Sequence, residues 1–190
     1  MDIKVILASK SPRRKQLLSE LFCDFDIKVS DADESLPLGV ELREGVRILA
    51  TRKGEGIASE EPDALVISSD TLVALDEEPL GKPRDKSDAY RMLRSLSGRR
   101  HAVHTGIAVA YRGRVYSDTA TSYVHFKELS DEEIYAYIDT GEPFDKAGGY
   151  GIQGEAGKFV LDYVGDFDTI VGLSLRLTRR LVDEALSCEE

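Results

Sequence analysis

The chain is poor in cysteine, because its 190 residues include only Cys23 and Cys188. Two cysteines are too few for a disulfide framework, which indicates a reducing cytoplasm. No apolar run approaches the roughly 18–20 residues of a membrane span. The first ten residues (MDIKVILASK) are typical of a first strand rather than of a secretory leader. We therefore expect a cytoplasmic globular chain, folded as one domain over residues 1–190 or as two small lobes with a shared core.

Positive charge is also in short supply. The sequence has 25 Lys and Arg against 35 Asp and Glu, which gives a formal net charge of −10. An acidic surface of this kind repels the DNA backbone and anionic lipid. We therefore expect neither nucleic acid nor a membrane as a partner.

Apolar periodicity predicts strands and helices in a mixed order. Ser11-Pro12 is typical of a helix start, Ser130 with Glu133 forms a capping box, and Arg112-Gly113 separates two alternating runs as a hairpin turn does. Strands are expected at 3–8, 64–75, 102–111, 114–126, 158–164 and 168–171, and helices at 12–22, 41–59, 87–96, 130–140 and 174–187. This combination predicts an α/β or α+β fold with a mixed sheet.

A basic segment, Ser9-Lys10-Ser11-Pro12-Arg13-Arg14-Lys15, opens the first predicted helix. Four of its seven residues are cations and none is an acid. The free N–H groups and the dipole of a helix N-terminus already favour an anion, so cations placed there do not serve helix stability. This local conflict favours a phosphate site, with a solvated basic turn as the alternative.

Asp70 lies in an otherwise apolar strand, Val66-Ile67-Ser68-Ser69-Asp70-Thr71-Leu72-Val73. A carboxylate there is costly unless it is paired, hydrogen-bonded or bound to a cation. Asp70 is therefore a candidate catalytic base or metal ligand, and an Asp that caps a strand bulge is the alternative. Phosphate-rich substrates usually bring Mg²⁺ or Mn²⁺, held by one or two carboxylates and by substrate oxygens. Glu34 is a candidate second ligand, unless its acidic cluster is only a solvated loop.

One glycine-containing turn and three histidines are further candidates for a site. Gly81-Lys82-Pro83 lacks the spacing of a phosphate-binding P-loop, but it places Lys82 shortly after the Asp70 strand. The three histidines, His101, His104 and His125, lack zinc-ligand spacing and are expected to be ordinary strand residues.

The run 145–154 is rich in glycine and fits the dinucleotide pattern G-x-G-x-x-G only formally. That fingerprint needs a strand before it and a helix after it, and here the predicted order is reversed. Two interpretations remain open. One is a flexible wall that closes over a base with Tyr150 and Gln153, and the other is a plain surface loop.

Together, these segments resemble the Maf family of nucleoside triphosphate pyrophosphatases. Each piece is weak alone, but the ordered set spans nearly the whole chain and is specific. Residues 150–154, with the sequence YGIQG, are similar to the family branch that acts on dTTP and UTP, whereas the branch acting on 7-methyl-GTP carries a different sequence there. The matching pieces are Ile6-Leu7-Ala8-Ser9, Ser11-Pro12-Arg13-Arg14, Asp33-Glu34, Lys53, Ser69-Asp70-Thr71, Gly81-Lys82-Pro83, Leu96-Ser97-Gly98, Thr105-Gly106 and 145–154.

The resemblance implies an elongated mixed sheet flanked by helices, with two lobes around a cleft, as in inosine triphosphate pyrophosphatases. It implies hydrolysis of the α–β phosphoanhydride of dTTP and UTP, and of CTP or modified pyrimidine nucleotides as further substrates, with a divalent cation (Mg²⁺ or Mn²⁺) and a homodimer. Asp70 corresponds to the family's proton acceptor, and with Glu34 it would hold the metal. The substrate-binding and specificity residues implied are Ser9, Arg13, Lys53, Thr71, Lys82 and Gln153.

Two alternative functions stay open beside this one. The first is a non-catalytic nucleotide-binding regulator of cell division, and the second is a pyrophosphatase that prefers other nucleotides, such as 7-methyl-GTP. The sequence also departs from the family pattern. Gly54 and Gly56 stand where family helices usually have Ala, which predicts a looser helix, and Ser174 replaces a usual Pro.

Overall fold

The structure is a computed structural model, and it describes residues 3–29 and 31–187. Cys188, one of the two cysteines, lies outside these residues. Strands and helices alternate along the chain in a mixed order. They are β1 (Val5–Leu7), α1 (Pro12–Leu18), β2 (Asp26–Ile27), α2 (Leu42–Glu60), β3 (Leu65–Leu75), β4 (Glu78–Leu80), α3 (Lys86–Leu96), β5 (Arg100–Tyr111), β6 (Arg114–Phe126), α4 (Asp131–Asp139), β7 (Val160–Val164), α5 (Phe167–Val171) and α6 (Leu175–Ser187). Short 3₁₀ turns occupy Glu142–Asp145, Ala147–Gly149 and Glu155–Phe159.

The described strands form one mixed sheet in the order β2-β1-β3-β5-β6-β7, with β4 paired to β3. β1 runs parallel to both β2 and β3, whereas β4 pairs antiparallel with β3 and β7 pairs antiparallel with β6. The mixed α/β class predicted from the sequence is confirmed.

The chain divides into two compact units. The first comprises the residues up to Asp70, then Thr105–Ala120, and the residues from Gly172 onward. The second comprises Thr71–His104 and Thr121–Val171. Strands β3, β5 and β6 each contribute residues to both units.

In the first unit, α2 packs on the parallel strands β1 and β3. Ile6 of β1 pairs with Val66 of β3, and both side chains are fully buried. Ile57 of α2 belongs to the same apolar cluster, whose other members are Ala8, Ala64 and Ala110. These small and β-branched side chains let the helix lie close to the sheet, which matters for the candidate site below.

In the second unit, a larger core is built from α3, α4 and the strand ends around them. Its largest fully buried side chains are Phe126, Tyr137 and Phe159, and the Phe159 ring meets both other rings edge-on. Helix α4 begins with the predicted capping box, since Ser130 accepts from the Glu133 N–H and Glu133 accepts from the Ser130 N–H. It ends at Asp139, and the predicted stop residue, Gly141, follows two positions later with a φ of 78°.

The structure corrects two of the predicted elements. The first helix ends at Leu18 rather than at residue 22, because the chain passes into turns in which the Glu20 and Leu21 N–H groups bond to carbonyls three residues back. The predicted strand at 168–171 is the short helix α5. A short apolar run such as Thr169–Val171 suits a buried strand and a buried helical turn equally well, so periodicity alone could not decide.

The remaining elements of the prediction are confirmed with small shifts at their ends. Helix α2 is continuous despite its glycines, and Arg112-Gly113 links β5 to β6, with φ values of 46° and 75°. Among the described residues, no helix combines the length and apolar character needed to cross a bilayer.

Candidate active site

The basic segment forms the turn between β1 and α1, in the first unit. Ser11 is the N-cap of α1, and its hydroxyl accepts from the Arg14 N–H at 3.4 Å, while Pro12 occupies the first turn. The Ser9 hydroxyl accepts from the Ser11 N–H at 3.2 Å. The predicted helix start is confirmed. Its phosphate-binding role stays a prediction that the exposed N-terminus of α1 and the partly exposed Arg13 side chain favour.

Asp70 is an ion-paired residue of β3. Its side chain is 17% exposed, and its Oδ1 lies 2.5 Å from the Nζ of Lys53, whose side chain is 12% exposed. The structure therefore shows that this carboxylate in an apolar strand is stabilised by an ion pair with a lysine side chain. Because both partners are largely shielded from water, this pair interacts more strongly than a surface ion pair does.

Glu34 also reaches Lys53, from the loop that precedes α2. Its Oε1 lies 2.9 Å from the same Nζ, although the Glu34 side chain is 64% exposed. The ammonium group of Lys53 thus contacts two carboxylates, those of Asp70 and Glu34. An exposed pair of this kind contributes at most about 1 kcal/mol, so the Asp70 contact is the dominant one.

Lys53 is placed by the close packing of α2 on β3. The hydroxyl of Ser68, a fully buried residue of β3, donates to the Ala50 carbonyl of α2 at 2.6 Å. The helix can approach so closely because Gly54, next to Lys53, has no Cβ; one built there would lie 2.7 Å from Ser68 Oγ. Gly54 thus has a packing role, since its lack of a side chain admits a buried hydrogen bond between helix and strand.

The donor set at Asp70 suits a divalent cation. Two carboxylates that converge on one ammonium can converge on Mg²⁺ or Mn²⁺, which accepts one or two carboxylates and fills its remaining positions with water and phosphate oxygens. Over residues 3–29 and 31–187, no group of three or more His, Cys, Asp or Glu side chains is placed to hold a metal by itself. Any cation held here therefore takes further ligands from water or substrate.

The comparison with known protein families decides what these segments belong to. A family model described as "Maf-like protein" matches residues 4–185. This chain belongs to the Maf-like protein family.

Curated members of the Maf-like family include near full-length relatives of this chain. The dTTP/UTP pyrophosphatase of Bacillus velezensis is 44% identical over 184 residues, which cover 97% of each chain. That of Salinibacter ruber is 46% identical over 179 residues, which cover 93% of this chain and 88% of the relative. Among solved structures, the Ham1 protein of Staphylococcus aureus has a TM-score of 0.52 at 18% identity, covering 98% of this chain and 100% of its own. This last likeness concerns the fold alone.

The motif residues of this Maf-like chain fall in both units. Ser9, Arg13, Glu34, Lys53 and Asp70 belong to the first unit. Thr71, Lys82 and Gln153 belong to the second unit, where Thr71 is half-buried in β3 and Lys82 and Gln153 are exposed on loops. Within the second unit, the Gly148 N–H donates to the Gly81 carbonyl at 3.0 Å, which joins the Lys82 loop to the start of the glycine-rich run.

Tyr150 does not form the flexible wall that the sequence suggested. It is 6% exposed, and its hydroxyl lies 2.7 Å from Nε2 of the buried His101, with Phe126 edge-on to both rings. Burial lowers the pKa of His101 to about 4 and raises that of Tyr150 above its usual range. Tyr150 therefore anchors the run in the core, because a hydrogen-bonded aromatic ring gains more from burial than from exposure. Gln153, three residues further on, is exposed.

Three residues that were not among the predicted site residues form hydrogen bonds next to the motif segments. Glu142 accepts from the Tyr137 hydroxyl at 3.1 Å and from the Glu155 N–H at 3.1 Å, and it bounds the glycine-rich run. Arg14 and Gly172 form a hydrogen-bonded cluster with Ser69, beside Asp70. Arg14 was visible only as one of two adjacent arginines, and Gly172 carried no local signal, since its contacts are with residues more than 100 positions away.

Proposed function

We propose that this chain is a nucleoside triphosphate pyrophosphatase that hydrolyses the α–β phosphoanhydride of dTTP and UTP to the monophosphate and pyrophosphate. The observation that carries the proposal is the Asp70–Lys53 ion pair, a largely shielded carboxylate held next to a basic turn. The curated relatives named dTTP/UTP pyrophosphatase, at 42–46% identity over almost all of the chain, support the substrate assignment.

Asp70 acts in this proposal as the proton acceptor. A water molecule adds to one phosphorus of the α–β bridge, Asp70 takes a proton from that water, and the bridging oxygen leaves with the other phosphate group. Lys53, through its contact with Oδ1, fixes the orientation of the carboxylate. A general base that is positioned in this way typically raises the rate by about 10²–10⁴-fold.

Charge around the triphosphate is supplied by the basic turn. Arg13 and the N-terminus of α1 neutralise phosphate oxygens, and the Ser9 hydroxyl adds a donor. A divalent cation bound by Asp70 and Glu34 would polarise the phosphate oxygens and lower the repulsion met by the attacking water. Lys82 as a further cation, Thr71 as a boundary of the base pocket and Gln153 as a reader of the pyrimidine edge stay proposals carried by the family resemblance.

The direct test is a product analysis on purified protein. A panel of NTPs, dNTPs and 7-methyl-GTP is incubated with Mg²⁺ or Mn²⁺, and pyrophosphate is quantified beside monophosphate. Equal yields of the two products, highest for dTTP and UTP, are expected, and Asp70→Asn is expected to lower kcat by about 10²–10⁴-fold while nucleotide binding persists. Orthophosphate with a nucleoside diphosphate would place the cut at the β–γ bond and contradict the proposal. Binding without any product would favour the regulatory alternative, and a preference for 7-methyl-GTP would favour the other.

We also propose that two copies pair through β7, one of the two end strands of the described sheet. Leu161, Tyr163 and Val164 of this strand are 61%, 45% and 54% exposed, and the neighbouring Tyr123 and Phe167 are also exposed. Large apolar side chains on an unpaired edge are typical of a strand that another strand covers. A second β7, added antiparallel about a two-fold axis, would cover the same patch on both copies.

Oligomeric state tests this pairing. Light scattering after size exclusion should give a dimer for the natural sequence and a monomer for Leu161→Lys. The matched control is Leu38→Lys, which changes a 99% exposed leucine of the first unit and should leave the dimer intact. A natural monomer, or a dimer that Leu161→Lys does not disturb, would refute the pairing through β7.

We also propose a cytoplasmic location for the protein. The low cysteine content and the free thiol of Cys23 support it.

A further inference from the structure

The guanidinium of Arg14 joins three stretches of the first unit. Its Nε donates to the Gly172 carbonyl at 2.9 Å. Its Nη1 donates to the Ser69 carbonyl at 2.8 Å and lies 3.4 Å from the Ser9 hydroxyl. One planar side chain thus connects the basic turn, the strand residue next to Asp70 and the turn before α6.

The contacts of Gly172 close this arrangement. Its carbonyl accepts from the Ser69 hydroxyl at 2.8 Å as well as from Arg14. Gly172 has a φ of 125°, a backbone conformation that residues with a side chain rarely adopt. Because Ser69 is held through both its hydroxyl and its carbonyl, the backbone that leads into Asp70 is fixed from two sides.

The electrostatics of Arg14 suit a structural position better than a solvent-facing one. Burial lowers the pKa of Arg14, and the negative charge of Asp70 acts in the opposite direction. A cation that has lost water needs hydrogen-bond acceptors in compensation. The Ser69 and Gly172 carbonyls provide them, and the geometry matches the rigid fork of a guanidinium, which a lysine ammonium cannot reproduce.

We propose that Arg14 is a positioning residue, which acts on the reaction by fixing Asp70 and the Ser9 turn relative to each other, whereas its neighbour Arg13 meets the triphosphate. The proposal rests on the function proposed above. Two adjacent arginines of one motif thereby have different tasks. A displacement of a catalytic group by about 1 Å can lower the rate about 10²-fold, so the loss of the Arg14 hydrogen bonds should lower kcat.

Arg14→Lys is the decisive variant, since it keeps the positive charge and removes the planar guanidinium group. We expect kcat for dTTP to fall by about 10–100-fold with KM changed by less than about threefold. Arg14→Gln should behave in the same way. Arg43→Lys is the matched control, because Arg43 also donates to a backbone carbonyl of the first unit, that of Thr119 at 3.3 Å, away from Asp70, and its kcat should be unchanged.

Amide hydrogen exchange gives a readout that does not depend on activity. In Arg14→Lys, exchange should accelerate in peptides that contain residues 9–11, 69–71 or 172, and it should stay unchanged elsewhere. If the natural protein hydrolyses no nucleotide, the proposed function fails, and the exchange result still decides whether Arg14 holds the two segments.

Two results would overturn the positioning role. The first is full activity in Arg14→Lys, which would mean that charge alone is needed. The second is a raised KM with unchanged kcat, which would place Arg14 on the substrate. Should Arg14→Lys not fold, Arg14→Gln decides, because it removes the guanidinium and leaves no unpaired charge. A loss of about 10–100-fold in kcat supports the role, and an unchanged kcat refutes it.

Discussion

Gly54 of α2 faces Ser68 of β3 so closely that a Cβ at residue 54 would lie 2.7 Å from the Ser68 hydroxyl. Ser68 cannot move aside without cost, since it is fully buried and bonded to the Ala50 carbonyl at 2.6 Å. The contact sets the distance between the helix that carries Lys53 and the strand that carries Asp70. A glycine that lowers helix propensity is thus required by the packing.

We predict that Gly54→Ala lowers the free energy of unfolding by about 1–2 kcal/mol. The steric cost of an inserted methyl, about 1–3 kcal/mol, exceeds the gain in helix propensity of up to about 1 kcal/mol. Urea unfolding measures the change. Gly56→Ala, at an exposed position of the same helix, is the control and should stabilise by about 0.5–1 kcal/mol. Equal stabilisation by both substitutions would show that Ser68 does not constrain the helix.

Chelation with EDTA should abolish hydrolysis, and added Mg²⁺ or Mn²⁺ should restore it. Glu34→Gln should raise the cation concentration needed for half-maximal rate by about tenfold, because one of two converging carboxylates is lost. Mn²⁺ binding in the presence of nucleotide, followed by water proton relaxation, gives a second readout. Full activity in metal-free buffer would exclude a cation requirement.

Gln153→Ala should flatten the preference for pyrimidine over purine triphosphates, because the amide is the proposed reader of the base edge. The ratio of kcat/KM for dTTP and for a purine triphosphate measures this. Lost hydrogen bonds of this kind cost about 1–3 kcal/mol, or about 5–150-fold in that ratio. Glu155→Gln, at an exposed neighbouring position, is the control, and an unchanged ranking in Gln153→Ala would remove Gln153 from base recognition.

His101 should make stability depend on pH. Its pKa is about 4 in the folded state because of burial and about 6.5 when unfolded, so the unfolded state binds the proton more readily. The free energy of unfolding is therefore highest above pH 6.5, and it decreases by up to about 3 kcal/mol as the pH falls towards 4. Urea unfolding between pH 7 and 4.5 measures the slope. His101→Phe, which fills the same space without a titrating group, should show a smaller slope, and an equal slope would contradict the assignment.

Local sequence signals predicted most of the elements, because their causes are local. The capping box at Ser130, Pro12 at the start of α1 and the continuous apolar run of β3 each reflect contacts within a few residues. The run 169–171 was misassigned because its apolar residues satisfy either a strand or a helical turn. Tertiary burial decided in favour of the helix.

The site was predictable in its residue types and less so in its contacts. An acid within the apolar strand signalled that Asp70 needs a partner, but Lys53 lies 17 positions away and only the packing of α2 brings it near. The glycine-rich run gave no sign that Tyr150 turns inward, since its partner His101 lies on β5, 49 positions earlier. Arg13 and Arg14 are the same residue type, so the sequence does not distinguish their roles. The structure distinguishes them, because Arg14 is the one that contacts Gly172.

The bond between Arg14 and Gly172 spans 158 positions, so its two partners are synthesised at very different times. A ribosome extends the chain from its N-terminus at about 5–20 residues per second, so Asp70 and Lys53 emerge well before Gly172 does. A nascent chain halted before residue 172 contains the residues of β1, α2 and β3 but lacks the Gly172 carbonyl, which accepts from both Arg14 and Ser69. The hydrogen bonds beside Asp70 are therefore complete only when nearly the whole chain has been made.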